Sequence, residues 1–225
     1  GVLDASEAPP TFQVEPGRVV GLIAGGDRAL RVSSEGMEDD PGGAAGDLDA
    51  LALTAQDTVV GIAAGGTTPY VLGALRHCKT LGTPPLTALL SCSPLPRPPG
   101  CDHLIVADTG PEVLTGSTRM KAGTATKMVL NTISTTLMVR EGRVYENLMV
   151  DLRATNDKLL DRAIRIVGAV TGLSRPESLD LLTRADHEVK IALVMHERGL
   201  NCEEAKTLLD HHGGSVHRAL ADSPS

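Results

Sequence analysis

The stretch Thr58-Val-Val-Gly-Ile-Ala-Ala-Gly-Gly-Thr-Thr-Pro-Tyr70 contains the transition that decides the fold. Its first residues form an apolar run without polar alternation, which is typical of a strand covered on both faces in a parallel sheet. Its end places Thr68 before Pro69, an N-cap followed by proline at the first helical position. We therefore predict a buried strand over Thr58–Ala63, a Gly/Thr turn and the start of a helix.

Three further apolar runs predict strands, and helical patterns lie between the strands. The runs are Arg18–Ala24, Leu86–Ser91 and His103–Asp108. Alternating strands and helices predict an α/β fold in which helices flank a doubly wound parallel sheet.

The C-terminal half of the sequence is predicted to be mainly helical. Two capping boxes, Ser174–Glu177 and Asn201–Glu204, begin helices of a small three-helix unit. The predicted organisation is an α/β domain over 1–150, a connecting helix over 151–172 and the helical unit over 173–225. One long buried helix is predicted upstream from the apolar residues Met120, Met128, Ile133 and Leu137.

The composition excludes several classes of function. The 225 residues have a formal net charge of −7 and include only one Phe, two Tyr and no Trp. An acidic chain with so few aromatic residues offers neither the positive charge nor the stacking surface that a nucleic-acid partner needs. No apolar run approaches the roughly 18 residues of a membrane span, so no membrane partner is expected. The four cysteines show no zinc-site spacing and are expected to be reduced thiols of a cytoplasmic protein without a metal.

Two polar loops are candidates for binding an anion. The first is the Gly/Thr turn, in which Gly66, Thr67 and Thr68 precede a helix whose exposed N–H groups and dipole favour phosphate. The second loop clusters hydroxyl donors and positive charge in Ser117, Thr118, Arg119 and Lys121. We predict that the two loops close on the same anion. An ordinary tight turn and a solvated helix start are the alternatives that these residues leave open.

Two acidic motifs supply carboxylates that could transfer protons. Asp4-Ala-Ser-Glu7 comes before a turn predicted at Pro9–Pro10, and Glu35-Gly-Met-Glu38 begins an acidic stretch. Taken alone, both motifs are equally consistent with solvated surface residues. Spacing by itself therefore assigns no catalytic role to either motif.

Six motifs together resemble the bacterial N-acetylmuramic acid 6-phosphate etherases. These are sugar isomerase (SIS) domain proteins related to the glucokinase regulatory protein, and the resemblance covers essentially the whole chain. The motifs are DASEAPPTF (4–12), GLIAGGDRAL (21–30), SEGMEDD (34–40), GIAAGGTTPYV (61–71), LTGSTRMKAGTATKMVLNTIST (114–135) and NLMVDLRATNDKL (147–159).

The resemblance implies a lyase that cleaves the D-lactyl ether of N-acetylmuramic acid 6-phosphate. The expected products are N-acetylglucosamine 6-phosphate and D-lactate, formed by elimination and then hydration. The family's pattern makes Glu7 the proton donor and Glu38 the partner acid/base, with no metal or organic cofactor. It also implies an SIS-type sheet, a ubiquitin-associated-like helical unit at the C-terminus, and a cytoplasmic homodimer whose active sites are shared between subunits.

The sequence departs from the family pattern in two respects. The family has a serine where Gly65 stands and an arginine where Thr67 stands, so fewer donors are expected around the sugar phosphate. Family members also have a segment ahead of the position of Gly1, with a first strand and a phosphate loop. We expect a fragment of a longer protein, and an inactive truncated copy is the alternative.

Two other functions remain open for a chain with these motifs. One is a non-catalytic regulatory protein that binds a sugar phosphate, like the glucokinase regulatory protein. The other is an aldose–ketose isomerase of the SIS type. The motifs that end in Glu7 and Glu38 favour the etherase over both.

Overall fold

The structure, a computed structural model, describes residues 1–32, 34–154 and 156–221. The chain divides into two compact units. The first consists of Gly1–Ser6 and Val19–Thr132, and the second of Glu7–Arg18 and Ile133–Ser225. The predicted domain boundaries, which divide the chain differently, stay a prediction.

The first unit contains a parallel three-stranded sheet. Its strands are β1 (Thr58–Ile62), β2 (Leu86–Ser91) and β3 (His103–Val106), in the order β1-β2-β3. All three coincide with predicted strands, and both strand pairs are parallel. The predicted α/β fold with helices flanking a parallel sheet is therefore confirmed.

In the described residues, four α-helices lie before, between or directly after these strands in the sequence. They are α1 (Val2–Phe12), α2 (Ala45–Ala50), α3 (Pro69–Cys78) and α4 (Lys121–Arg140). Helix α3 begins as predicted, with Thr68 at the N-cap and proline in the first turn. It lies so close to β1 that a Cβ on Gly61 would come within 2.6 Å of Val71 Cγ1, so glycine is needed there. Leu75 of α3 is fully buried in a cluster with Leu89 of β2.

Residues Arg18–Ala24, predicted to be a strand, have no strand structure. A strand exists only where a neighbour completes its hydrogen-bond ladder, and within the described ranges no segment pairs with this one. Its ends are turns, in which the Arg18 amide donates to Glu15 and the Gly26 amide to Ile23. The apolar run identified a segment with strand composition but could not reveal whether the segment has a partner.

Helix α4 forms where one long helix was predicted, but three of the four expected core residues are exposed, among them Met120 at 37% just before the helix. Met128 is 66% exposed and Leu137 is 52% exposed. Ala122 in the first turn and Met138 in the last turn are buried instead, each in a different unit. The four apolar residues predicted that a long helix forms here, but they did not predict which of its residues are buried.

The second unit is mainly helical. Its elements are a hairpin of β4 (Val144–Tyr145) and β5 (Leu148–Met149), followed by α5 (Asp157–Thr171), α6 (Arg175–Arg184), α7 (Val189–Arg198), α8 (Cys202–His211) and α9 (Val216–Ala221). Fully buried Val167, Leu182 and Leu193 join α5, α6 and α7 in one core. The range 173–225, predicted to hold three helices, contains four in its described part: the ten-residue α6, α7 and α8 and the short α9.

Both predicted capping boxes are confirmed. The Ser174 amide donates to Glu177 Oε2 at 2.9 Å at the start of α6. At the start of α8, the Asn201 amide donates to Glu204 Oε2 at 2.9 Å, and the Glu204 amide donates to Asn201 Oδ1 at 3.0 Å. These boxes were predictable because both partners lie within three residues of each other.

Neither a membrane-spanning helix nor a metal-binding cluster occurs in the described part of the chain. None of its helices is long and apolar enough to cross a membrane. No group of three or more His, Cys, Asp or Glu side chains there could hold a metal ion. The cysteines are free thiols, namely Cys78, Cys92, Cys101 and Cys202.

Candidate functional site

The loops that follow β1, β2 and β3 meet at the carboxyl-terminal edge of the sheet. Cys92, directly after β2, joins them, because its amide donates to Ala64 O at 2.9 Å and its carbonyl accepts from the Thr109 amide at 3.3 Å. Its thiol also donates to Ala122 O in the first turn of α4 at 3.4 Å. Ligands of open parallel sheets bind at this edge, so it is the candidate site.

The Gly/Thr turn after β1 has a shape that requires glycine. Gly66 has φ +73°, and a Cβ there would come within 2.6 Å of Leu95 Cδ1. The Gly66 amide donates to Ala63 O at 2.9 Å and closes the turn. Thr67 is exposed, and Thr68 is half-buried at the N-cap of α3. The turn therefore presents threonine side chains beside a helix N-terminus.

The backbone of Glu38 is hydrogen-bonded to the helix that follows this turn. Its carbonyl oxygen accepts from the Tyr70 amide in the first turn of α3 at 2.9 Å. Pro41, three residues further along the chain, packs directly against α3, because a Cβ on Gly73 would overlap its carbonyl group. The Glu38 side chain itself is exposed. The structure thus brings Glu38 and the Gly/Thr turn to the same end of α3.

The second predicted loop lies between β3 and α4. Ser117 is half-buried, whereas Thr118 and Arg119 are exposed. Lys121 is the first residue of α4, and its ammonium group donates to Thr109 O at 2.7 Å. Through Thr109 and Cys92, this loop is connected to the same sheet edge as the Gly/Thr turn.

Glu112 occupies the N-terminus of α4, a position that sequence reasoning missed. Its Oε2 accepts from the Lys121 amide at 3.0 Å, and its Oε1 accepts from the Ala122 amide at 2.9 Å. The hydrogen bond from Ala122, joined by that from Lys121, lowers the pKa of Glu112 below its ordinary value. A capping-box pattern spans three residues, so it could not find a partner nine and ten residues away.

Glu7 lies in α1 and is assigned to the second unit, whereas the other predicted site residues belong to the first. Its side chain is exposed, and the next residue, Ala8, is buried in a small cluster with Val14 and Met138. Glu7 and Glu38 thus belong to different units. The pairing of the two glutamates therefore stays a prediction.

Asp4, one helical turn before Glu7, is anchored to α4. Lys127 Nζ donates to Asp4 Oδ1 at 2.6 Å, and the Asp4 side chain is only 16% exposed. Burial alone would raise the pKa of Asp4, but the hydrogen bond from Lys127 lowers it below its ordinary value. This ion pair fixes the first turn of α1 to the helix that carries Lys127.

The match of β1 and the Gly/Thr turn to a known family model shows that this is a sugar isomerase (SIS) domain protein. A family model of the glucokinase regulatory protein N-terminal SIS domain matches residues 3–79, and one of the C-terminal lid domain of that protein matches residues 146–191. N-acetylmuramic acid 6-phosphate etherases of Yersinia pestis and Yersinia pseudotuberculosis are each 54% identical to the chain over 221 residues, which is 98% of this chain and 74% of the relative. The chain belongs to the N-acetylmuramic acid 6-phosphate etherase family.

Proposed function

We propose that this protein is a carbon–oxygen lyase that cleaves the D-lactyl ether of N-acetylmuramic acid 6-phosphate. It releases N-acetylglucosamine 6-phosphate and D-lactate, and it acts in the cytoplasm in the recycling of peptidoglycan sugars. The observation that supports this most directly is the 54% identity to named etherases across 98% of the chain. The motifs that contain Glu7 and Glu38 lie within the aligned length.

The proposed reaction needs two proton-transfer groups. In the open-chain sugar, the aldehyde acidifies the proton on carbon 2, and a base removes it. An acid then protonates the ether oxygen as lactate leaves, and water adds to carbon 3 of the resulting alkene. We assign the base to Glu38 and the acid to Glu7, because a carboxyl group can serve either role and each must reverse its role during hydration. No cofactor takes part in this scheme.

The sugar phosphate is proposed to bind at the carboxyl edge of the sheet. Support comes from the backbone connection of both polar loops to Cys92 and from the position of Thr67 and Thr68 beside the N-terminus of α3. The proposed binding residues are Gly66, Thr67, Thr68, Ser117, Thr118, Arg119 and Lys121.

The proposed assembly is a homodimer whose active sites are shared between subunits. Val113 and Leu114 precede the Ser117 loop and are 89% and 62% exposed. Large apolar side chains left in water next to a binding loop are a cost that a second copy of the chain would remove. Sedimentation of the purified protein measures this, and a monomer at micromolar concentration would contradict it.

Release of D-lactate from N-acetylmuramic acid 6-phosphate tests the proposed function. We expect one D-lactate for each N-acetylglucosamine 6-phosphate formed. Tight binding of the sugar phosphate without any lactate would favour the regulatory alternative, which the similarity to glucokinase regulatory protein domains keeps open. Formation of a ketose phosphate in place of lactate would favour the isomerase.

The altered turn after β1 gives a prediction about affinity. Gly65→Ser/Thr67→Arg should tighten sugar-phosphate binding by about 1–3 kcal/mol, because it adds a hydroxyl donor and a charge-assisted donor. The serine fits, since a Cβ on Gly65 meets only Thr67 Oγ1 at 3.8 Å. Titration calorimetry with N-acetylglucosamine 6-phosphate measures the change. Gly46→Ser/Gln56→Arg adds the same groups outside the turn and should leave affinity unchanged; equal affinity in both double variants would place the ligand elsewhere.

The Asp4–Lys127 ion pair gives a prediction about turnover. Lys127→Met keeps the aliphatic stem but removes the ammonium group that donates to the largely buried Asp4 carboxylate. We expect kcat to fall several-fold with little change in KM, because Glu7 lies one turn further along α1 and loses its fixed position. Lys127→Arg should restore most of the activity.

A matched control separates this effect from a general loss of stability. Arg184→Met removes an ion pair with Asp180, in which both side chains are well exposed, and should leave kcat unchanged. If Lys127→Met shows wild-type kcat, or if Lys127→Arg fails to recover it, the ion pair has no positioning role.

A further inference from the structure

The loop over 107–120, between β3 and α4, is held by two connections at its ends. Lys121 Nζ donates to Thr109 O at 2.7 Å, which ties the start of α4 to the end of β3. The Glu112 carboxylate accepts from two consecutive amides of α4, at 3.0 Å and 2.9 Å. The residues between Glu112 and Lys121 therefore form a closed loop whose two ends meet.

Burial of side chains does not hold this loop in shape. Val113, Thr118 and Arg119 are exposed, and Ser117 is half-buried. Its internal hydrogen bonds are short-range turns, such as the Ser117 amide to Leu114 O at 2.9 Å and the Thr118 amide to Gly116 O at 3.0 Å. A segment with so little buried surface keeps one conformation only through the bonds at its ends.

Glu112 also determines where an anion can bind. The first amides of a helix are natural phosphate donors, but those of Lys121 and Ala122 already bind the Glu112 carboxylate. Besides the Lys121 ammonium group, a phosphate at this loop can bind the side chains of Ser117, Thr118 and Arg119, which the loop does not bury. The conformation of the loop determines whether the side chains of Ser117, Thr118 and Arg119 can reach the same phosphate group.

We propose that Glu112 is a positioning residue for substrate binding: its carboxylate holds the 107–120 loop in the conformation in which Ser117, Thr118 and Arg119 reach the sugar phosphate. Glu112 itself contacts no substrate atom. This inference rests on the proposed function, because it takes the loop as part of the sugar-phosphate site.

Glu112→Gln tests the proposal with almost no change of volume. A carboxamide offers one acceptor oxygen, and its NH₂ group would face a backbone N–H, so one of the two connections to α4 is lost. We expect KM for N-acetylmuramic acid 6-phosphate to rise about tenfold while kcat changes less than twofold, the pattern of a lost binding interaction. Glu112→Ala should raise KM further.

A control variant and a double variant separate positioning from general stability. Glu177→Gln removes a glutamate that accepts from a backbone amide at the start of α6, and it should leave KM unchanged. In an Arg119→Ala background, Glu112→Gln should raise KM less than it does in the wild type, because part of the positioned group is already absent. An unchanged KM in Glu112→Gln, or an equal effect in both backgrounds, would overturn the proposal.

A decrease of KM in Glu112→Gln would also decide the question. A lower KM in Glu112→Gln would show that Glu112 competes with the phosphate for the α4 amides, which contradicts the proposal. If the wild-type protein releases no lactate, the proposed function fails, and the role of Glu112 is then decided by calorimetry with N-acetylglucosamine 6-phosphate. There too we expect about tenfold weaker binding in Glu112→Gln, and equal binding would overturn the inference.

Discussion

Glu7→Gln is expected to lower the rate of D-lactate release by about 10²–10⁴-fold, the usual contribution of a general acid or base. The ether oxygen of lactate is a poor leaving group unless it is protonated as the bond breaks. A carboxamide keeps the shape of the side chain but has no acidic proton to give. The Glu7 side chain is exposed and Gln has nearly the same volume, so the protein should fold normally.

The Glu7 prediction can be separated from loss of binding by a second measurement. If Glu7 acts only on the leaving group, the variant should still exchange the carbon 2 proton of the substrate with deuterium from the solvent, which NMR detects. Glu15→Gln is a matched control, since Glu15 is another exposed glutamate just beyond α1. We expect wild-type lactate release from it. Near-native release from Glu7→Gln would remove Glu7 from the mechanism.

Local signals were sufficient for some elements of the fold. The stretch from Thr58 to Tyr70 forms a strand, a turn and a helix start as predicted, because an apolar run, Gly66 and the Thr68–Pro69 pair each act within a few residues. The capping boxes of α6 and α8 were predictable for the same reason.

Signals that depend on distant partners failed. The run Arg18–Ala24 has the composition of a strand, but a ladder needs a second segment that composition does not identify. The predicted turn at Pro9–Pro10 is absent, because α1 continues through both prolines to Phe12. Proline disfavours a helix interior by its missing N–H, yet tertiary packing can outweigh that cost. Ala8 is buried against Met138 in this segment, so packing from far along the chain supports the helix.

In the candidate site, too, features formed by residues close in sequence were predicted, and features that depend on distant partners were not. The Gly/Thr turn and the loop of Ser117 were found from donors that lie close together in sequence. Glu112 was not found, since its contacts with α4 cross nine and ten residues of loop and follow no short motif. The link through Cys92 was equally hidden, because a thiol directly after an apolar strand gives no sign that its backbone joins two loops.

The complementary substitution, Glu38→Gln, is expected to stop the reaction one step earlier than Glu7→Gln. Removal of the carbon 2 proton must come before or with departure of lactate, so a variant without the base should neither exchange that proton nor release lactate. We expect both rates to fall by about 10²–10⁴-fold. The backbone of this residue is held by the hydrogen bond from the Tyr70 amide to Glu38 O, which the substitution leaves intact.

The pair of glutamates is therefore distinguished by deuterium exchange and not by activity alone. Asp39→Asn, which neutralises the adjacent exposed carboxylate, is the matched control and should exchange and release at wild-type rates. Exchange that persists in Glu38→Gln but disappears in Glu7→Gln would reverse the two assignments, since the group needed for exchange is the base. Exchange that persists in both variants would mean that neither glutamate alone is the required base, since each single variant keeps the other carboxylate.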